Sequence, residues 1–296
     1  VSDYANKQEG NQSPNLEYGR TLCRFANGEV VASYAQPLGS ATAYRQMKAA
    51  ACVGPSDCWF AGEELPAGAP NTGPFHLQWN GAGLTAVPSL VATQGQVDDP
   101  PGTITGLAFF QGQLFESADT APFMRSVNLA APGVFTAVTP PAGATGPFIL
   151  AGDPGQLWAV ATDGHSVLRS ISGESFEKVL FEKAVEEGLR PVSAAASEPN
   201  GAGVWVAGSV STSAGAAATV TRIGVAGEVS PTATLPTEAE AIDGKGGAAR
   251  IACPTAGQCW MVTTKGWLFH LGGSLPQDTD PAMHKLITFR PADEST

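Results

Sequence analysis

Short runs in which apolar and polar residues alternate recur along this chain, each ended by a cluster of Gly, Pro, Asn, Asp or Ser. A period of two marks a strand with one face buried and one face wet. Phe75-His76-Leu77-Gln78-Trp79 runs into Asn80-Gly81, the strongest short hairpin signal. Val167-Leu168-Arg169-Ser170 turns at Ser172-Gly173, and Val220-Thr221-Arg222-Ile223 turns near Gly227. Residues 21–31 read as a further hairpin. Only residues 182–189 are compatible with a helix. The pattern predicts an all-β chain of many short strands.

The strands fall into repeats. Cys52-Val53-Gly54-Pro55-Ser56-Asp57-Cys58-Trp59 and Cys253-Pro254-Thr255-Ala256-Gly257-Gln258-Cys259-Trp260 share one plan: Cys, five turn-prone residues, then Cys-Trp and an apolar run. Residues 106–115, 149–158 and 194–205 follow it without the cysteines, ending at Phe115, Trp158 and Trp205. The five aromatics are spaced 43 to 56 residues apart. Four-stranded propeller blades repeat every 40–50 residues or so, which the spacing matches once longer loops are allowed. The expected fold is a β-propeller of four-stranded blades, six in number with seven as the alternative. It occupies residues 18–290, with 1–17 an N-terminal extension and 291–296 a tail. Residues 21–31 are then the outer half of an incomplete blade, closed by residues 284–290 so that no sheet edge stays open. Each recurring aromatic belongs to the core between blades rather than to a sugar platform.

Composition agrees. Among 296 residues only 15% are charged, while Gly and Pro number 35 and 23. A formal charge of −11 repels phosphate backbones and anionic lipid, which excludes nucleic acid as a natural partner. No apolar run reaches the ~20 residues of a membrane helix, and no membrane insertion is expected. Cys52/Cys58 and Cys253/Cys259 sit on paired strands of predicted hairpins and are expected to form disulfides. These place the chain in an oxidising compartment: secreted, periplasmic or on the cell surface. The five-residue spacing exceeds the two to four typical of paired zinc ligands, so no metal is expected. Cys23 is left over, a buried small residue or a free thiol.

The Cys-x5-Cys-Trp hairpin followed by an aromatic-Asn-Gly hairpin resembles secreted bacterial β-propellers, notably those related to the photosystem II assembly factor and to Asp-box (BNR) proteins. The nearest Asp-box match, residues 170–176, lacks the Asp and is one residue short. The resemblance implies architecture and leaves activity open. Sialidases of such folds use an arginine triad and a Tyr/Glu pair. The four tyrosines here, Tyr4, Tyr18, Tyr34 and Tyr44, are all N-terminal and complete no such set.

In a propeller the turns between second and third strands share one end with the blade connections, the end where ligands commonly bind. Those turns are expected to carry Glu63, Glu64, Glu116, Asp119, Asp163 and Lys265, the candidate ligand-binding residues. The connections add Asp98, Asp99, Glu182, Glu186, Glu187, Glu238, Glu240 and Asp243, with Arg45, Lys183, Arg190 and Lys245 as the bases. Such an acidic end favours a basic partner or a cation, although solubility alone explains acidic loops. No cofactor is expected. A calcium ion at Asp163-Gly164 or Asp98-Asp99 is the alternative, without the Asp-x-Asp-x-Asp-Gly loop that would support it. His76 and His270 read as packing residues. His165, next to Asp163, is the candidate general base. Three functions follow. The first is a non-catalytic extracellular or envelope binding module for a protein or glycan. The second is a carbohydrate-active hydrolase or lyase using Glu116, Asp119 or Asp163. The third is a structural domain of a larger surface protein. The chain is expected to be monomeric or part of such a larger protein.

Overall fold

The computed structural model describes residues 2–6, 17–26, 29–37, 44–54, 56–65, 73–87, 104–120, 123–129, 135–144, 146–181, 191–199, 201–213, 215–230, 232–235, 246–255, 258–265, 267–272 and 285–288. Every named element among them is a β-strand. Blade one is β4 (Tyr44–Gly54), β5 (Asp57–Leu65), β6 (Gly73–Trp79) and β7 (Leu84–Val87). Blade two is β8 (Ile104–Phe110), β9 (Gln113–Ala118), β10 (Met124–Asn128) and β11 (Thr136–Ala137). Blade three is β12 (Phe148–Asp153), β13 (Gln156–Ala161), β14 (Ser166–Ser170) and β15 (Glu177–Phe181). Blade four is β16 (Val192–Ser197), β17 (Gly203–Thr212), β18 (Gly215–Gly224) and β19 (Ala233–Leu235). Blade five is β20 (Ala248–Thr255), β21 (Gln258–Thr263), β22 (Trp267–Gly272) and β23 (Lys285–Thr288). Each is an antiparallel sheet in chain order. The first strands lie side by side, β4 on β8, β8 on β12, β12 on β16 and β16 on β20, as the inner strands of propeller blades do. A sixth, three-stranded sheet joins β1 (Ser2–Asn6), β2 (Glu17–Ala26) and β3 (Glu29–Pro37).

One register recurs in all five blades. The aromatic of the second strand stands opposite an alanine of the first: Trp59 on Ala51, Phe115 on Ala108, Trp158 on Ala151, Trp205 on Ala196 and Trp260 on Ala252. Inner strands converge on the axis, so a small residue there leaves room for a large ring beside it. The rings fill the space between blades. Trp158 shares a buried cluster with Val192, Val204 and Ile223 of blade four. Phe115 does so with Phe148 and Leu157 of blade three, and Trp205 with Met261 and Phe269 of blade five. For Trp59, Phe115, Trp158 and Trp205 the expected inter-blade role is what the structure shows, while Trp260 is half-buried.

The inner strands approach so closely that a side chain is sometimes excluded. A Cβ on Gly152 of β12 would lie 2.5 Å from the carbonyl oxygen of Phe109 on β8. The predicted outer hairpins form at Asn80, Gly173 and Gly227. Asn80 Oδ1 accepts from the Ala82 and Gly83 amides at 3.0 Å, which closes the β6–β7 turn.

One expectation changes. Residues 284–290 were expected to close the ring with N-terminal strands, but β23 pairs with β22, Trp267 opposite Thr288, and completes blade five itself. Several short strands of similar character could take that place, and the shorter connecting loop favours the local one. Blade five instead touches blade one through Arg250 of β20, which donates a hydrogen bond to the Lys48 carbonyl on β4. Residues 21–31 do form a hairpin, β2–β3, to which β1 adds a third strand. The possible helix at 182–189 lies outside the described residues.

Candidate functional site

The strand order gives each blade two unlike ends. Turns between first and second strands, and between third and fourth, emerge at one end; turns between second and third emerge at the other. The first end is heavily tied. Cys52–Cys58 and Cys253–Cys259 are disulfides at equivalent places, each joining a first strand to a second. At the register position of Cys52 and Cys58, blades two, three and four place Phe109 and Leu114, Gly152 and Leu157, and Ser197 and Val204. Where cysteines are missing, polar side chains close the turn. Asp153 Oδ1 accepts from the Gly155 and Gln156 amides at 2.6 and 3.1 Å. In blade four the buried Glu198 takes a bidentate pair from Arg222 at 2.8 and 2.7 Å and a bond from Trp205 Nε1 at 2.8 Å. That pairing raises the Arg222 pKa above its ordinary value. The Asp-box-like residues 170–176 form the β14–β15 turn at this end, with Ser170 Oγ accepting from the Gly173 amide at 2.9 Å.

The opposite end carries several of the candidate residues. Asp119 is exposed just after β9, and Lys265 is exposed in the β21–β22 turn. Asp163 and His165 lie in the β13–β14 turn, about half exposed, with Asp163 Oδ1 accepting from the His165 amide at 2.9 Å. His165 Nδ1 stands 3.3 Å from Asp163 Oδ2, the orienting contact a general base would need. The end is uneven. Beyond their aromatics, β5 runs to Leu65 and β17 to Thr212, about twice as far as β9, β13 and β21 run. At about 3.3 Å per residue, the hairpins of blades one and four stand roughly 10 Å taller than the turns of blades two and three between them.

Other candidates are not where the sequence placed them. Glu63 and Glu64 belong to β5 itself, opposite Pro74 and Gly73 of β6, and Arg45 lies in β4 opposite Glu64. Glu116 was expected in a turn and is instead inside β9, fully buried. Its carboxylate receives Arg125 Nε at 2.7 Å and touches Arg125 Nη2 and His76 Nε2. Arg125 of β10 also stacks over Phe135, 4.4 Å from the ring centre, and His76 of β6 packs on the same ring. The three side chains thus bridge blades one and two. Burial by itself would raise the Glu116 pKa, but the charges and hydrogen bonds of His76 and Arg125 outweigh it and hold the carboxyl below its ordinary value.

The repeat contains the missed signal. The position after the aromatic is Phe60, Ala159, Val206 or Met261 in the other blades, all buried. A carboxylate there cannot reach water, so it recruits an arginine and a histidine. Asp98, Asp99, Glu182, Lys183, Glu186, Glu187, Arg190, Glu238, Glu240, Asp243, Lys245 and His284 lie outside the described residues. Among the described residues no three His, Cys, Asp or Glu side chains are grouped to hold a metal ion. There too, no helix is long and apolar enough to cross a membrane.

No family model matches this chain, and no curated protein does. Solved structures do. Virginiamycin B lyase from Staphylococcus aureus superposes with a TM-score of 0.55 at 11% identity, over 92% of this chain and 81% of that one. YCF48 bound to D1 peptide gives 0.50 at 11% identity, over 83% and 69%. A chain of the nidogen–laminin complex gives 0.51 at 9% identity, over 86% of each. Likeness at such identities speaks for architecture alone, and with the blade register it makes this chain a β-propeller of four-stranded blades.

Proposed function

We propose that this chain is a non-catalytic binding module of an oxidising, extracytoplasmic compartment, and that it takes a polypeptide with basic side chains. The partner binds at the end that carries the turns between second and third strands. The observation that carries the reading is the profile of that end. Low turns bearing Asp119, Asp163 and His165 lie between the taller hairpins of blades one and four, with Glu63 and Glu64 on the strands of the first. An extended segment laid between raised hairpins would meet carboxylates from successive blades, which gives attraction and register together. The two disulfides support the compartment. Two propellers of similar fold are seen with polypeptide partners, one with D1 peptide and one in the nidogen–laminin complex.

The carbohydrate-active alternative is disfavoured by Glu116. A retaining hydrolase needs two available carboxyl groups about 5 Å apart. Glu116 is buried and neutralised by Arg125, which removes one of the three acids proposed for that role.

Peptide and glycan arrays probed with the full chain test the reading, followed by solution affinities of the best ligand. Asp119→Lys with Asp163→Lys should weaken a basic peptide by about tenfold or more, whereas Glu174→Lys at the opposite end should change it by less than about twofold. A ligand set made only of glycans, or equal effects of the two substitutions, would overturn it.

A further inference from the structure

The two disulfides hold equivalent hairpins and have the same sequence separation of 6, yet they meet solvent differently. In blade five Cys259 is fully buried, and the half-buried Cys253 packs against the same core, which also holds Trp205, Met261 and Leu271. In blade one Cys52 is exposed, and its neighbour Val53 is 61% exposed, while Cys58 is half-buried against Phe60, Leu77 and Trp79. The first bridge is therefore the more exposed of the two, with Cys52 on its solvent side and Cys58 backed by core. A thiolate needs a clear line to a sulfur before it can displace the partner.

We propose that the Cys52–Cys58 bond is a thiol-exchange site, open to small thiols and dithiols while the propeller stays folded, and that Cys52 Sγ is the atom attacked. An external thiolate forms a bond to Cys52 Sγ as the Cys52–Cys58 bond breaks. The electron pair leaves on Cys58 Sγ, which takes up a proton. The Gly54 carbonyl lies 3.6 Å from that sulfur, an acceptor for the new S–H. With a dithiol, its second thiolate then attacks the external sulfur of the mixed disulfide and releases Cys52. The dithiol ends oxidised to a disulfide, and Cys52 and Cys58 end as two thiols. The site lies at the opposite end of the blades from the proposed partner surface and stands independently of it.

Limited reduction of the native full chain with dithiothreitol, quenched with iodoacetamide and mapped by peptide mass, tests this. Cys52 and Cys58 should become alkylated at least about tenfold faster than Cys253 and Cys259, in line with the control of exchange by access. In denaturant the two pairs should react at matching rates. Glutathione in place of the dithiol should leave its adduct on Cys52, with Cys58 alkylated. Equal rates in the native protein, a difference that persists in denaturant, or an adduct on Cys58 would each overturn the proposal.

Discussion

Glu116 shows how strongly one position can depend on its surroundings. Fully buried in β9, it is stabilised by Arg125 and His76 across the boundary between two blades. Removing one partner of a buried pair leaves the other charge uncompensated, which costs more than the pair contributes. Glu116→Gln should therefore destabilise the protein by about 3–5 kcal/mol in denaturant titrations at neutral pH. The sign of the pH dependence follows from the lowered pKa. The folded-state value lies below the ordinary 4.5, so the stabilisation is fully present above about pH 4.5 and is lost as pH falls through the folded value. The advantage of the wild type over Glu116→Gln should shrink as pH falls below 4.5. An advantage unchanged at pH 3 would mean that the carboxylate is not its source.

At the scale of the strand, the constraint is the width of the ring at its centre. Alanines face the aromatics on every inner strand, and at Gly152 even a methyl group has no room. The obstacle is the backbone oxygen of Phe109, so no rotamer change can relieve it. Gly152→Ala should cost about 1–3 kcal/mol, the usual range for overpacking. Gly112, in the tight β8–β9 turn, has nothing within 4 Å of a built Cβ but a φ of +76°, so Gly112→Ala should be destabilising through backbone strain alone. A urea titration of both variants separates the two causes. If Gly152→Ala were neutral, blades two and three would not be packed as described.

At the scale of the whole molecule, the two ends differ in construction. One end is stitched by disulfides, the Asp153 turn and the Glu198–Arg222–Trp205 group, and it holds the blades in shape. The other end is uneven and carries exposed acids on short turns between taller hairpins. Binding on the second end and thiol exchange on the first are predicted to be separable. Reduction of Cys52–Cys58 should leave the affinity for a basic peptide within about twofold, because a rim change far from the contact moves affinity little.

The sequence by itself determined the strands, the blade repeat, the paired cysteines and the place of each aromatic. These are read from local signals: alternation, turn residues and a pattern that returns about every fifty positions. Tertiary structure alone decided which charged residues face water. Every second strand lies between two neighbouring blades, so both of its faces are buried and alternation no longer separates inside from outside. That is why Glu116 looked like a loop acid and proved to be an inter-blade anchor, while Asp163 and His165, set on a turn, kept their exposure. The closure of blade five by β23 was likewise decided in space, since short strands of similar character offer several partners until the blades are assembled.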